Sequence, residues 1–190
     1  MSEKTKPDIK RGLSDQLAHL PDYETRQLIA SGFFNAVTHL ISHAEIPMIE
    51  FSFRAKTDER IRLKARYLKA TRWTRPMFDI YAARVVVPDG YETDAVSAIL
   101  DSFGADSRYK NPFPNYWQHR SGQRRSNRSV GLSDYSAWHV RVAFGGNLVV
   151  PHIGEIQIFN PTEFAFQEAT RDEYEQRRDE RYRAVLGDLW

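Results

Sequence analysis

The run Phe78-Asp79-Ile80-Tyr81-Ala82-Ala83-Arg84-Val85-Val86-Val87 ends in three consecutive valines and is closed by Pro88-Asp89-Gly90. β-Branched residues at successive positions suit a strand buried on both faces, and the Pro-Asp-Gly turn stops it. A buried strand needs cover, and the flanking segments supply helices. From Asp22 onward, Leu28, Ile29, Phe33, Val37, Leu40 and Ile41 recur near the 3.6 period, with Pro47 closing that helix. Residues 48–53 alternate as a strand, and a basic helix over about 57–71 follows, capped by Thr57 or Asp58. Val96, Ile99, Leu100 and Phe103 mark a helix over 91–103. Residues 137–144 and 148–158 flank Gly145-Gly146-Asn147, a hairpin signal. A charged helix over 162–186 ends the chain, with Phe164, Phe166, Tyr174, Tyr182 and Val185 as packing residues. The order α-β-α-β-α-loop-β-β-α predicts an α/β (α+β) fold, a mixed β-sheet flanked by helices.

The chain has 190 residues and no Cys, so it can bury its own core, and disulfide frameworks and cysteine zinc sites are excluded. Residues 1–20 lack periodicity and read as a flexible N-terminal arm, and residues 21–190 read as a single domain. No apolar run reaches the roughly 18–20 residues of a membrane span, and no secretory signal is recognisable, which predicts a soluble, cytoplasmic protein away from membranes. The net charge is only +2, but it is unevenly spread. Ten bases face three acids between Arg54 and Arg84. Arg120, Arg124, Arg125 and Arg128 lie in a stretch without acids between Asp106 and Asp134. Local excess of this kind suits a polyanionic partner, a nucleotide or a nucleic acid, although a solvated helix face explains it as well. No P-loop and no GxGxxG after a strand occurs, so phosphates would have to be held by side-chain cations and a metal.

Four pieces carry candidate chemistry. Arg54-x-Lys56 leaves a strand, and Lys56, Arg60 and Lys64 fall four apart, a row of cations suited to a triphosphate or to solvent. Asp79 opens an apolar strand, where it could hold Mg²⁺ or serve as a strand-end cap; Arg84, an odd step away, is expected on the opposite sheet face. Tyr135 and His139 follow the basic loop, as a base stacker and a phosphate contact or as core residues. Glu155 and Gln157 alternate with Ile156 and Ile158 and share a face, lining a site or an exposed edge. His39 and His43 have i, i+4 spacing without a third ligand nearby and read as helix surface.

In order, R-x-K-x7-K, D-I-x-x-x-R-V-V-V, Y-x-x-x-H and E-I-Q-I resemble the synthetase domain of RelA/SpoT proteins, over about Glu50 to Arg178. Ala169-Thr170-Arg171-Asp172-Glu173-Tyr174-Glu175 is similar to that family's closing helix. The resemblance implies a nucleotidyltransferase-like fold and Mg²⁺-dependent transfer of pyrophosphate from ATP to the 3′ hydroxyl of a guanine nucleotide. By the same resemblance Arg54 and Arg84 sandwich adenine, while Lys56 and Lys64 neutralise the triphosphate. Asp79 and Glu155 hold Mg²⁺, with Glu155 also a candidate base. Tyr135 stacks on the acceptor base, and His139 assists on the acceptor phosphates; Arg124, from the acid-free basic loop, is a further candidate acceptor contact.

The chain departs from the family pattern at Arg60, where the family has Ser. It has Gly131-Leu132-Ser133-Asp134-Tyr135 in place of P-K-x-N-G-Y, and Phe159-Asn160 in place of Arg-Thr. The departures cluster on the acceptor side. No His-Asp dipeptide of a hydrolase domain occurs. The chain therefore resembles the stand-alone small synthetases or their toxic relatives, which act on tRNA 3′ ends or adenine nucleotides and imply a neutralising antitoxin. A catalytically inactive nucleotide or RNA binder of the same fold is the alternative from another class. Oligomeric state is not encoded in any of these motifs.

Overall fold

The computed structural model describes residues 12–73, 76–105, 117–119, 137–144 and 152–187. In chain order the elements are α1 (Leu13–Ala18), α2 (Tyr23–His43), β1 (Glu50–Ala55), α3 (Asp58–Ala70), β2 (Tyr81–Val86) and α4 (Glu92–Ala105). There follow β3 (Trp117–His119), β4 (Ala137–Phe144), β5 (His152–Phe159), α5 (Pro161–Ala169) and α6 (Arg171–Leu186). The strands form one mixed sheet in the order β1-β2-β5-β4-β3. β2 and β5 run parallel, and the other neighbours pair antiparallel. The fold is α+β, as the sequence predicts.

Strand alternation divides the sheet into two faces of different chemistry. Ala83, Val85, Val140, Val142, Ile156 and Ile158 point to one side and are buried against Phe33, Val37 and Ile41 of α2 and Val96 and Ile99 of α4. Phe51 and Phe53 extend this side at the β1 edge, packing on Phe34 at ring-centroid distances of 4.0 and 4.5 Å. The backbone of β5 approaches α2 closely at Gly154, where a Cβ would stand 2.7 Å from the Phe33 ring. The other face carries the polar residues and is overlain by α3, α5 and α6. α3 and α6 are joined by Tyr67 and Tyr182, stacked at 4.4 Å.

Local signals account for the helix starts. The Asp22 side chain accepts from Thr25 N at 2.8 Å, and Thr57, not Asp58, caps α3. Asn160 and Glu163 form a capping box ahead of α5, with Pro161 in its first turn. Asn160 also donates to Glu92, which links the start of α5 to that of α4.

Several expectations are corrected. Within the stretch read as a loose arm, residues 13–18 form α1, because Leu13 is buried in the core and the Gln16 side chain bonds both backbone groups of Met77. α2 ends at His43, before Pro47, and Leu28 faces solvent while the charged Arg26 is buried. β1 runs two residues later than the alternation indicated, and β2 begins only at Tyr81. The terminal helix is two helices, broken at Thr170, whose hydroxyl turns back to the Phe166 carbonyl at 2.9 Å. Val185 is exposed. The turn at Gly145-Gly146-Asn147 lies outside the described residues, although β4 and β5 pair as the hairpin reading requires.

Candidate active site

Register places the functional side chains in two adjacent rows across the polar face. Arg54, Ala82, Glu155 and Arg141 are successive partners in one row. Ser52, Arg84, Gln157 and His139 form the next. Ala82 leaves a gap between the guanidinium of Arg54 and the carboxylate of Glu155. Over these rows lies a cavity of about 290 Å³, walled by Lys64 and Asp79 on one side and by residues of α5 and α6 on the other. A second cavity, of about 490 Å³, opens between the α1–α2 turn and α3, and none of the residues singled out for chemistry lines it.

Asp79 stands just ahead of β2 and receives two lysines. Lys64 Nζ donates to Oδ1 at 2.7 Å, and Lys56 Nζ lies 3.1 Å from Oδ2. Burial alone would raise the Asp79 pKa, but Lys64 and Lys56 outweigh it and hold the carboxyl well below the usual range. The lysines respond differently to the shared partner. Burial lowers the Lys56 pKa against the pull of Asp79, with Lys64 and Arg54 adding repulsion. Burial also disfavours the charge on Lys64, but its shorter bond to Asp79 reverses the balance and raises the pKa. Lys56 is held from behind: the buried Arg26 donates to the Lys56 carbonyl at 3.2 Å and to the Asp58 carboxylate, which fixes the β1–α3 turn. Nothing in the sequence pattern marks Arg26 for this role.

Glu155 sits on the central strand and is buried. His139 Nδ1 lies 3.3 Å from Oε1, Arg141 Nε donates to Oε2 at 3.4 Å, and Gln157 Nε2 donates to Oε1 at 3.2 Å. Burial pushes the carboxyl up, but His139 and then Arg141 more than offset this, and the pKa falls to about 2. Asp79 acts in the opposite sense, like charge on like charge, so the two carboxylates sense each other across the cavity.

The structure brings Arg54, Lys64, Asp79, Arg84, His139 and Glu155 to one cavity, with Lys56 immediately behind Asp79. Two sequence readings are corrected. Arg84 does not face away from Asp79: the regular strand starts at Tyr81, so alternation does not carry back to residue 79. Arg60 does not join Lys56 and Lys64, because Lys56 precedes the helix and Arg60 turns to Asp179 and Glu175 of α6, at 3.3 and 3.8 Å. Glu155 and Gln157 line a site and not an exposed edge, since β5 is the middle strand. Tyr135 and Arg124 lie outside the described residues. His39 and His43 are exposed on α2. No cluster of three metal-ligating side chains occurs among the described residues. Two ionised carboxylates on one cavity fit a hard cation completed by substrate phosphates, not an all-protein cage.

Sequence reading missed Arg141 and the α5–α6 wall. Arg141 could have been found by the alternation that found Glu155, since polar His139 and Arg141 alternate with Val140 and Val142. The wall could not, because the break at Thr170 is what turns Arg171, Tyr174 and Arg178 toward the sheet. From α5, Glu168 reaches Arg84 at 3.1 Å.

No family model matches the chain, and no curated protein matches it in sequence. Solved structures match its fold. Small alarmone synthetase 2 from Bacillus subtilis superposes with a TM-score of 0.57 at 17% identity, over 84% of this chain and 83% of that one. Small alarmone synthetase 1 from the same organism, bound to its product pppGpp, gives 0.53 at 15%, over 84% and 80%. A GTP pyrophosphokinase family protein from Streptococcus pneumoniae gives 0.53 at 14%, over 90% and 85%. The chain has the RelA/SpoT-type fold of the small alarmone synthetases. No helix among the described residues is long and apolar enough to cross a membrane.

Proposed function

We propose that the chain is a pyrophosphotransferase that moves the β,γ-pyrophosphoryl group of ATP to the 3′ hydroxyl of GDP or GTP, making (p)ppGpp-type alarmones. The observation that carries this reading is a pair of ionised carboxylates, Asp79 and Glu155, lining one cavity with Lys64, Arg54, Arg84 and Arg141. A polyphosphate is attracted to the cations, and the carboxylates need a reason to face it. Asp79 and Glu155 would hold Mg²⁺, which supplies charge neutralisation to the phosphates when bound.

In the proposed step the acceptor 3′ oxygen attacks the β-phosphorus of ATP. An O–Pβ bond forms, the bond from Pβ to the α-phosphate oxygen breaks, and AMP leaves with the electron pair. Glu155 accepts the hydroxyl proton. Its low resting basicity suits a loose transition state in which the proton departs late. Lys64 and Lys56 collect the charge of the triphosphate. Arg54 and Arg84 sit diagonally on antiparallel neighbours. Such positions are about 7–8 Å apart, close to the thickness of a base stacked between two planes at about 3.5–4 Å each.

The test is to incubate purified protein and Mg²⁺ with γ-labelled ATP and, separately, GDP, GTP, an adenine nucleotide or bulk tRNA. Label is expected on the guanine nucleotide. Label confined to tRNA or adenine nucleotide would replace the acceptor assignment, and nucleotide binding without any transfer would replace the enzyme reading with that of a binding module.

A further inference from the structure

The four sequence motifs leave three cations of the cavity without a role, Arg141, Arg171 and Arg178, and of these Arg141 alone is bonded to Glu155 among the contacts of the described residues. It stands on β4 directly opposite Glu155, so the paired strands fix its Cα beside the carboxylate. Its guanidinium carbon lies 4.2 Å from the centroid of the Phe78 ring, next in sequence to Asp79. It therefore reaches from the strand position beside Glu155 to the ring of Phe78. Its hydrogen bond to Glu155 uses Nε at 3.4 Å, long for a charge-assisted contact, which commonly measures about 2.7–2.9 Å. A stacked guanidinium with a long ionic bond is well supported yet readily exchanged, because the ring keeps the group in place while the bond is given up.

A cation at that position also has a consequence for Glu155. The carboxylate that is to serve a divalent ion already has a positive neighbour, so Arg141 and the metal compete for it. We propose that Arg141 is a phosphate-binding catalytic residue held in reserve: it rests on Glu155 in the free protein and turns to the transferring pyrophosphoryl group once Glu155 engages a divalent ion. The inference rests on the pyrophosphotransferase reading for its catalytic half and on the site alone for its competition half. In its second position Arg141 places a fixed positive charge where charge develops on the β-phosphoryl oxygens.

Two variants and two measurements test it. In Arg141→Gln, kcat is expected to fall roughly 100-fold with the KM for ATP changed by less than about threefold, as for removal of one preorganised transition-state donor. The same variant, without nucleotide, is expected to bind Mn²⁺ at least about threefold more tightly than wild type by paramagnetic titration, since a competing cation has gone. Arg141→Lys keeps the charge and is expected to retain wild-type Mn²⁺ affinity, and circular dichroism confirms that each variant is folded. Unchanged kcat, or unchanged or weakened Mn²⁺ binding, in folded Arg141→Gln would overturn the proposal. If wild type transfers label to no acceptor, the pyrophosphotransferase reading fails on its own, and the Mn²⁺ titration still decides the competition.

Discussion

Replacing Asp79 by Asn removes a charge while keeping the shape of the side chain, and so isolates what that charge does. Its carboxylate meets Lys64 at 2.7 Å and Lys56 at 3.1 Å. At an effective dielectric of about 20, each contact carries roughly 5–6 kcal/mol of gross attraction at these distances. Desolvation takes back most of it, and loss of one partner from a fully buried pair costs about 3–5 kcal/mol. Asp79 retains 22% exposure and Lys64 27%, which places the cost at the low end, about 3 kcal/mol. In a chain of this size 1 kcal/mol moves Tm by about 2–4 °C, so the variant should unfold roughly 6–12 °C below wild type and remain folded at room temperature. The two released lysines then seek another anion. A non-hydrolysable ATP analogue without metal should raise the Tm of the variant more than that of wild type, and Mg²⁺ should add little to the shift. Transfer should fall by at least about 100-fold. A variant with wild-type transfer, or with a wild-type Tm, would refute the reasoning, because the charge would then be serving neither the lysines nor the chemistry.

Three further outcomes follow from the same geometry. The Glu155 carboxyl is depressed from 4.5 to about 2, so its ionic contacts stabilise the fold above the unfolded pKa and are lost as pH falls through the folded one. Urea unfolding of wild type and Glu155→Gln should differ by about 3 kcal/mol at pH 7 and converge between about pH 5 and pH 2; a constant difference would contradict the assignment. Gly154→Ala would push a Cβ to 2.7 Å from the Phe33 ring and should cost about 1–3 kcal/mol in thermal unfolding, since that ring is itself stacked on Phe144 at 4.5 Å. Arg60→Ala should change stability by no more than about 1 kcal/mol. It should also leave the KM for ATP near wild type, because Arg60 pairs with α6 and not with the lysine row; a large rise in KM would restore it to the phosphate site.

Short-range chemistry made much of this protein readable from its residues. Asp22 and Thr57 cap helices because a side-chain oxygen next to the first helical turn satisfies an orphan N–H, an interaction that spans three residues. Ile156 and Ile158 announce a buried face, and Glu155 and Gln157 its polar counterpart, because the period of a strand is two residues. The resemblance carried by Arg54, Lys64, Asp79, Arg84 and Glu155 likewise pointed to residues that share one cavity. What the sequence did not decide depends on contacts between distant segments. Whether Arg84 faces Asp79 depended on where β2 starts, which its pairing with β1 and β5 sets. Arg60 is drawn from the lysine row by Asp179, 119 residues away. Arg141 is set beside Glu155 by the β4–β5 register, and Arg171, Tyr174 and Arg178 meet the sheet only because the chain breaks at Thr170. Local pattern names the residues able to do chemistry; register, helix breaks and long-range ion pairs decide which of them stand within reach of one another.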